Sequence, residues 1–395
     1  MSEKILRVGV YGVKRGLSHI KNIGFHDCAK VVAVCDWDAE AMEKALPMCP
    51  PDVKVCPDYD ALLAENLDLV VLANYLPDHA KCAIQALRQG VNVVSECLAA
   101  ATLKECVELV EAVEETGMYY SMAENTPYDT TNLELQRLLQ SGELGELSYA
   151  EAEYNHPSAP AKAFQYSPTA DHWRRTQPIS YYVTHPLGAM MNITRLMPKK
   201  VFCKVTNNYE YAQARNARSA DNGALIMIEM EGGKIIRVTG CTSFSAHVNW
   251  SRVVGAKANA EMVRHDIQKI SLTYNEWDAP EDGNERSVYL PPEGKVVKEA
   301  KAKGWNFQGH GMADFRCVHN YITELVEGKA PDMDVYRSTA MSAVALLAWR
   351  SALEGKEFEI PDFKDPAARD QYRNDDLSPW RGEIPWSIYP PAKPE

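Results

Sequence analysis

Glycines at 9, 12 and 16, an acid at 36 and a histidine at 185 are the residues of this 395-residue chain whose types and spacing can do chemistry. The stretch ILRVGVYGVKRG runs as a β-branched apolar strand into Gly12 and Gly16. A helical run from Leu17 to Phe25 follows, then a second apolar strand, Val31 to Cys35, that ends on Asp36. Strand, glycine turn, helix, strand, acid is a dinucleotide-binding unit. Glycine lets the backbone approach a pyrophosphate, and the helix N-terminus offers it free N–H groups and the positive end of a dipole. Val13, Lys14 and Arg15 sit inside that turn as cofactor contacts. Asp36 lies twenty residues after Gly16, the offset of an acid that binds the adenosine ribose diol. Asp36-Trp37-Asp38 holds no Arg or Ser for a 2′-phosphate, which favours NAD over NADP. His185 exchanges a proton near neutral pH; it follows an aromatic, polar run and precedes Pro186, unlike a core-helix histidine.

These residues need a scaffold, and the apolar pattern supplies one. Short strands are expected at Val53 to Cys56, Asp68 to Ala73, Val91 to Ser95 and Met118 to Ala123. Helices lie between them: one opens at Pro77 and stops at Gly90, another is capped by Thr102 with Glu105 and ends at Gly117. Six strands alternating with helices make a doubly wound parallel sheet, the Rossmann arrangement, whose ligands sit at the carboxyl ends of the strands. That rule gathers Gly12, Asp36, Asn74, Tyr75, Glu96, Cys97, Glu124 and Asn125 around one crevice, and His79 joins them as a cofactor candidate. Beyond Gly142 the pattern becomes strand after strand: Leu147 to His156, Val201 to Tyr209, Ala224 to Met230, Ile235 to Cys241, Arg252 to Ala256 and Glu261 to His265. Consecutive strands without helices imply a large open, mostly antiparallel sheet in a C-terminal α/β domain. Residues 276–308 are acidic and rich in Gly and Pro, with a Lys-rich patch, and are expected to form a surface flap. Two helices follow, 312–327 and 335–354. The expected domains are 1–125 for NAD, 126–360 for substrate and oligomerisation, with helix 335–354 free to pack back on the first, and an extended tail from 361 to 395.

Composition sets the class. An apolar fraction of 46% is that of a globular protein, and a formal net charge of −12 argues against nucleic-acid binding. No apolar run is long enough to span a bilayer. The first strand begins almost at once, so no signal peptide is expected, and the protein is expected in the cytoplasm. Ten scattered cysteines without C-x-x-C pairs read as buried thiols in a reducing compartment, and no Cys/His spacing suggests a metal.

Several separate motifs then resemble one family, the Gfo/Idh/MocA oxidoreductases: the first strand-turn-helix, Ser95-Glu96-Cys97, GELGELSYAEAEY, and Thr184-His185-Pro186-Leu187-Gly188. The chain is most similar to the branch containing the NAD-dependent glycoside hydrolase family 109. The matching pieces are Glu124-Asn125-Thr126 with Tyr128, Trp173-Arg174-Arg175, Tyr182 to His185, Gly309-His310-Gly311 and Met333 to Tyr336. The resemblance implies hydride transfer from a ring hydroxyl carbon of a sugar or glycoside, at the 3-position, ending in a keto sugar or in redox-assisted glycosidic cleavage. It departs from the ordinary dehydrogenases of the family at Cys97, where they carry lysine, and at Tyr181, where they carry aspartate. That leaves His185 as the main acid–base residue with Tyr182 as its helper. A simple sugar or inositol dehydrogenase and a non-catalytic NAD-binding sugar sensor stand as alternatives. Tyr128, Tyr154, Asn155 and His156 are expected to line the sugar site, with Arg174 and Arg175 as forked donors, Trp173 stacking or packing, and His310 as a substrate contact. The open sheet suggests a homo-oligomer, dimer or tetramer.

Overall fold

The computed structural model describes residues 5–157, 172–214, 219–241, 246–281, 285–307, 309–381 and 384–390, together with residues 167, 169, 217 and 244. The chain folds as two compact units. The first comprises Met1–Tyr128, Glu293–Thr339 and Phe363–Asp376; the second comprises Asp129–Pro292, Ala340–Asp362 and Leu377–Glu395.

The first unit opens with β1 (Leu6–Tyr11), α1 (Val13–Ile23), β2 (Ala29–Cys35), α2 (Ala39–Ala45), β3 (Lys54–Val55), α3 (Tyr59–Leu63), β4 (Leu69–Leu72), α4 (His79–Arg88), β5 (Asn92–Ser95), α5 (Leu103–Thr116) and β6 (Tyr120–Met122). Its sheet has the order β3-β2-β1-β4-β5-β6, with every pair parallel. All four residues of β4, LVVL, are buried, as a parallel strand covered by helices on both faces requires. The order reverses between β1 and β4, so the crevice of a doubly wound sheet opens at the turn that carries Gly12. The Thr102 hydroxyl accepts the Glu105 N–H at 3.0 Å to start α5, and Gly117, at φ +67°, ends it.

The second unit contains α6 (Thr130–Gln140), β7 (Leu147–Asn155), α7 (Thr184–Thr194), β8 (Pro198–Asn207), α8 (Tyr209–Ala214), β9 (Asp221–Met230), β10 (Ile235–Cys241), β11 (Val248–Gly255), β12 (Ala258–Val263), β13 (Asp266–Tyr274), β14 (Arg286–Tyr289) and β15 (Phe358–Glu359). These strands form one sheet ordered β14-β13-β12-β11-β7-β10-β9-β8-β15, antiparallel except where β7 meets β10. On β9, Ala224, Ile226, Ile228 and Met230 are buried while Leu225 and Met227 are exposed, so one face is covered and the other open. The covered face carries α7, against β7, β10 and β11. The α/β class read from the sequence therefore holds in both sheets.

The chain continues through α9 (Lys295–Ala302), α10 (Met312–Glu327), α11 (Val335–Glu354) and α12 (Pro366–Tyr372), and the division between the units falls inside α11. The flap expected over 276–308 is corrected here: β14 is paired with β13, and α9 buries Val297 and Ala300 with Phe315. The lysines of KVVKEAKAKG mask an amphipathic helix whose apolar residues recur three apart. Trp305 packs in that same cluster, edge-on to Phe25. The C-terminal stretch is anchored rather than loose. Arg369 reaches Glu114 at 2.6 Å in the first unit, and the Asp221 carboxylate accepts the Ile388 and Tyr389 N–H groups in the second. No helix among the described residues is long and apolar enough to cross a membrane.

Candidate active site

Gly12 has φ +90°, and a Cβ there would collide with the Ala73 carbonyl at the end of β4. A Cβ on Gly16 would lie 2.7 Å from Val10 Cγ1. The first glycine thus opens a backbone cradle and the second lets α1 lie close on β1. Val13 and Lys14 follow in the first turn of α1, which has no side-chain cap. The Asp36 carboxylate stands beside this turn. Its Oδ2 accepts the Val13 N–H at 2.7 Å and its Oδ1 accepts the Asp38 N–H at 2.9 Å, which orients the acid while leaving lone pairs for a diol. Next to it Trp37 is 73% exposed and meets Tyr75 edge-on at 6.1 Å. The Asn74 Oδ1 is buried with no hydrogen-bond partner among the described residues. A glycine cradle, an oriented acid and an orphaned acceptor at the carboxyl ends of β1, β2 and β4 fit a dinucleotide.

At the other side of this crevice lies an ionic network. Arg15 Nε meets Glu96 at 2.7 Å and Arg15 Nη1 meets Asp314 at 2.9 Å. Asp314, only 4% exposed, also accepts from Ser18 Oγ at 2.7 Å, Asn125 Nδ2 at 2.6 Å and the His310 N–H at 3.1 Å. His19 bridges Glu96 at 2.9 Å and the Tyr321 hydroxyl at 3.2 Å. Burial opposes ionisation of Glu96, yet Arg15 and His19 bring its pKa down to about 2. Burial likewise opposes the Asp314 charge, and the His310 hydrogen bond with Arg15 holds it well below the usual carboxylate range. Asp314 in turn raises His310 above the ordinary histidine value. Ser18, His19 and Asp314 were missed in the sequence. Asp314 left a faint signal, an acid in the first turn of an otherwise apolar helix start.

Other expected contacts take structural posts. His79 is buried with both ring nitrogens at backbone carbonyls, Leu98 at 2.8 Å and Asn74 at 3.1 Å, so it braces two loops. The Cys97 thiol donates to Glu124 at 3.2 Å, and burial together with that carboxylate pushes its pKa well up. Glu124 also holds the Thr126 hydroxyl at 3.0 Å. The Tyr128 hydroxyl accepts from Asn320 at 3.1 Å and its ring packs on the core of the first unit.

The second unit gathers rings instead of charges. His185 lies in the first turn of α7, half-buried, with its ring 4.3 Å from that of Tyr154. Tyr154 at the end of β7 is parallel to Tyr182 at 6.3 Å and lies 5.9 Å from His156. Tyr182 stands 6.1 Å from His185 and accepts a hydrogen bond from Arg174 Nη1 at 3.4 Å. Arg174 lies over Trp173 at 4.5 Å, and the Trp173 carbonyl accepts from Trp380 Nε1 at 3.0 Å. Arg175 Nε donates to the Ser167 carbonyl at 2.9 Å. Asn155 falls between Tyr154 and His156, on the opposite face by strand alternation. Gly240 on β10 passes close under the turn carrying Tyr182: a Cβ there would lie 2.9 Å from the Val183 nitrogen. His247, unnoticed in the sequence, stands 5.0 Å from His156. Among the described residues no group of His, Cys, Asp and Glu could hold a metal ion.

Comparison with known proteins bears on both units. Residues 6–124 match the NAD-binding Rossmann fold of the Gfo/Idh/MocA oxidoreductase family. Residues 132–261 match that family's C-terminal domain, and 227–369 match the glycosyl hydrolase 109 C-terminal domain. A glycosyl hydrolase family 109 protein from Shewanella sp. (strain W3-18-1) is 26% identical over 91% of this chain and 85% of its own. Among solved structures, an oxidoreductase from Agrobacterium radiobacter in complex with NAD+, L-tartaric acid and magnesium superposes with TM-score 0.71 at 14% identity, over 90% of this chain and 98% of that one. The WlbA dehydrogenase from Bordetella pertussis, in complex with NADH and UDP-GlcNAcA, does so with TM-score 0.70 at 18% identity, over 91% and 99%.

Proposed function

The chain carries Gfo/Idh/MocA family domains, among them an NAD-binding Rossmann domain, with a glycosyl hydrolase 109 C-terminal domain; on that premise we propose that it oxidises a ring hydroxyl of a sugar or glycoside. The observation that supports this most is the half-buried His185 imidazole, set by α7 against Tyr154 and Tyr182 within the stretch that matches the Gfo/Idh/MocA C-terminal domain. The chemistry supplied by bound NAD is acceptance of the hydride and, in a cleavage cycle, its return. Gly12, Asp36, Asn74 and the first turn of α1 would hold it.

His185 takes the proton of the hydroxyl as its carbon is oxidised, and Tyr182, fixed by Arg174, polarises the same oxygen. Cys97, kept neutral by burial, does not compete as a base. Oxidation at the 3-position acidifies the neighbouring 2-hydrogen. Loss of that proton with the glycosidic substituent, addition of water and reduction of the ketone would then give cleavage without net redox, so no carboxylate pair at glycosidase spacing is needed. The homo-oligomer expected from the open sheet belongs to the same reading and is supported by the exposed Leu225 and Met227.

The inert Cys97 favours one second reading, an NAD-binding sugar sensor without turnover. Incubating the protein with NAD and a panel of glycosides, while following reduced-cofactor absorbance and released aglycone, separates the two. Oxidation or cleavage of any member supports the enzyme; tight NAD binding with neither signal supports the sensor.

A further inference from the structure

We infer that His156 and His247 form an outer subsite for a second pyranose ring, the one across the glycosidic bond from the ring that is oxidised. The inference rests on the sugar-oxidising reading above and names the class of its substrate, a disaccharide or longer glycoside. Three strand ends meet at one end of the sheet's central strands. Asn155, the last residue of β7, is in register with Cys241 at the end of β10 and with Val248 at the start of β11. His156 leaves β7 there and His247 enters β11 there, so strands far apart in sequence bring their imidazoles together. The rings cluster: His185 lies 4.3 Å from Tyr154, and Tyr154, His156 and His247 form a triangle with sides of 5.9, 5.0 and 6.4 Å.

Exposure rises from Tyr154 through His156 to His247. Tyr154 is buried, His185 and His156 are half-buried and His247 is exposed. A sugar ring over Tyr154 and His185 therefore has its substituent directed outward, past the other two imidazoles. Those two meet at 71°, an edge-to-face arrangement that leaves a ring face for the C–H side of a pyranose and nitrogen edges for its hydroxyls. The His247 ring nitrogens have no hydrogen-bond partner among the described residues. Three neighbouring imidazoles also raise the alternative of a metal site, but no described group has the geometry to hold an ion.

The test uses the full chain with NAD, His247→Ala and His247→Gln, and one pyranose offered as its methyl glycoside and as a disaccharide. The expected result is a KM for the disaccharide raised about tenfold more than that for the methyl glycoside in His247→Ala, the effect of one lost polar or stacking contact, with partial recovery in His247→Gln. An equal change for both substrates, or none, overturns the subsite. Calorimetric binding of the same two sugars reads the contrast without turnover. Disaccharide binding that needs His247 in a protein that oxidises neither sugar keeps the subsite and sinks the enzymatic reading. Turnover of both sugars with no selective loss in His247→Ala does the reverse.

Discussion

The two units solve opposite problems with opposite materials. Around Arg15 the first unit builds a closed set of charges, in which Glu96 and Asp314 each hold several donors at 2.6–3.1 Å. Around His185 the second unit builds a set of rings in contact at 4.3–6.3 Å, with Arg174 donating a hydrogen bond to the Tyr182 hydroxyl. A network with every partner satisfied fixes geometry and resists titration. The contrast teaches which unit is suited to hold a charged cofactor still and which to move a proton.

Breaking the charge set should have the largest effect. Asp314→Ala leaves Arg15 short of a buried partner and should lower stability by about 3 kcal/mol in denaturant unfolding, with weakened NAD binding in a titration. Unchanged stability would mean that the network is ornamental. Next comes Gly240→Ala, whose new methyl presses on the Val183 nitrogen and shifts the turn that presents Tyr182. Overpacking of this kind costs about 1–3 kcal/mol, and kcat/KM should fall while NAD affinity holds; equal losses in both would erase the division of labour.

The smallest effect is on pH. His26 stacks on His319 at 5.2 Å in the first unit, and burial lowers it from an ordinary 6.5 to about 4. A folded-state value below the unfolded one contributes stability that is complete above pH 6.5 and is lost as pH falls toward 4. The thermal midpoint should decline across that window, and His26→Gln should flatten the decline.

The Rossmann unit was legible because its signals are local. β-branched runs, Gly12 and Asp36 lie within one short stretch and declare strand, turn and acid in order. The second sheet was legible as alternation, yet β13, β14 and α9 escaped, since lysines and prolines around them mimic a loop. The site residues that escaped share a different cause. Asp314 meets Arg15 across almost the whole sequence, and His247 lies in a connection with no period of its own. Side chains brought together by tertiary contacts of long separation leave no trace in spacing.

The most direct measurement is a single-turnover assay of His185→Ala with saturating NAD and a glycoside that the wild type oxidises, with NAD affinity titrated in parallel. Reduced-cofactor absorbance should fall at least about 100-fold while the NAD dissociation constant stays within about twofold. Full hydride transfer in that variant would contradict the assignment of the proton to this imidazole.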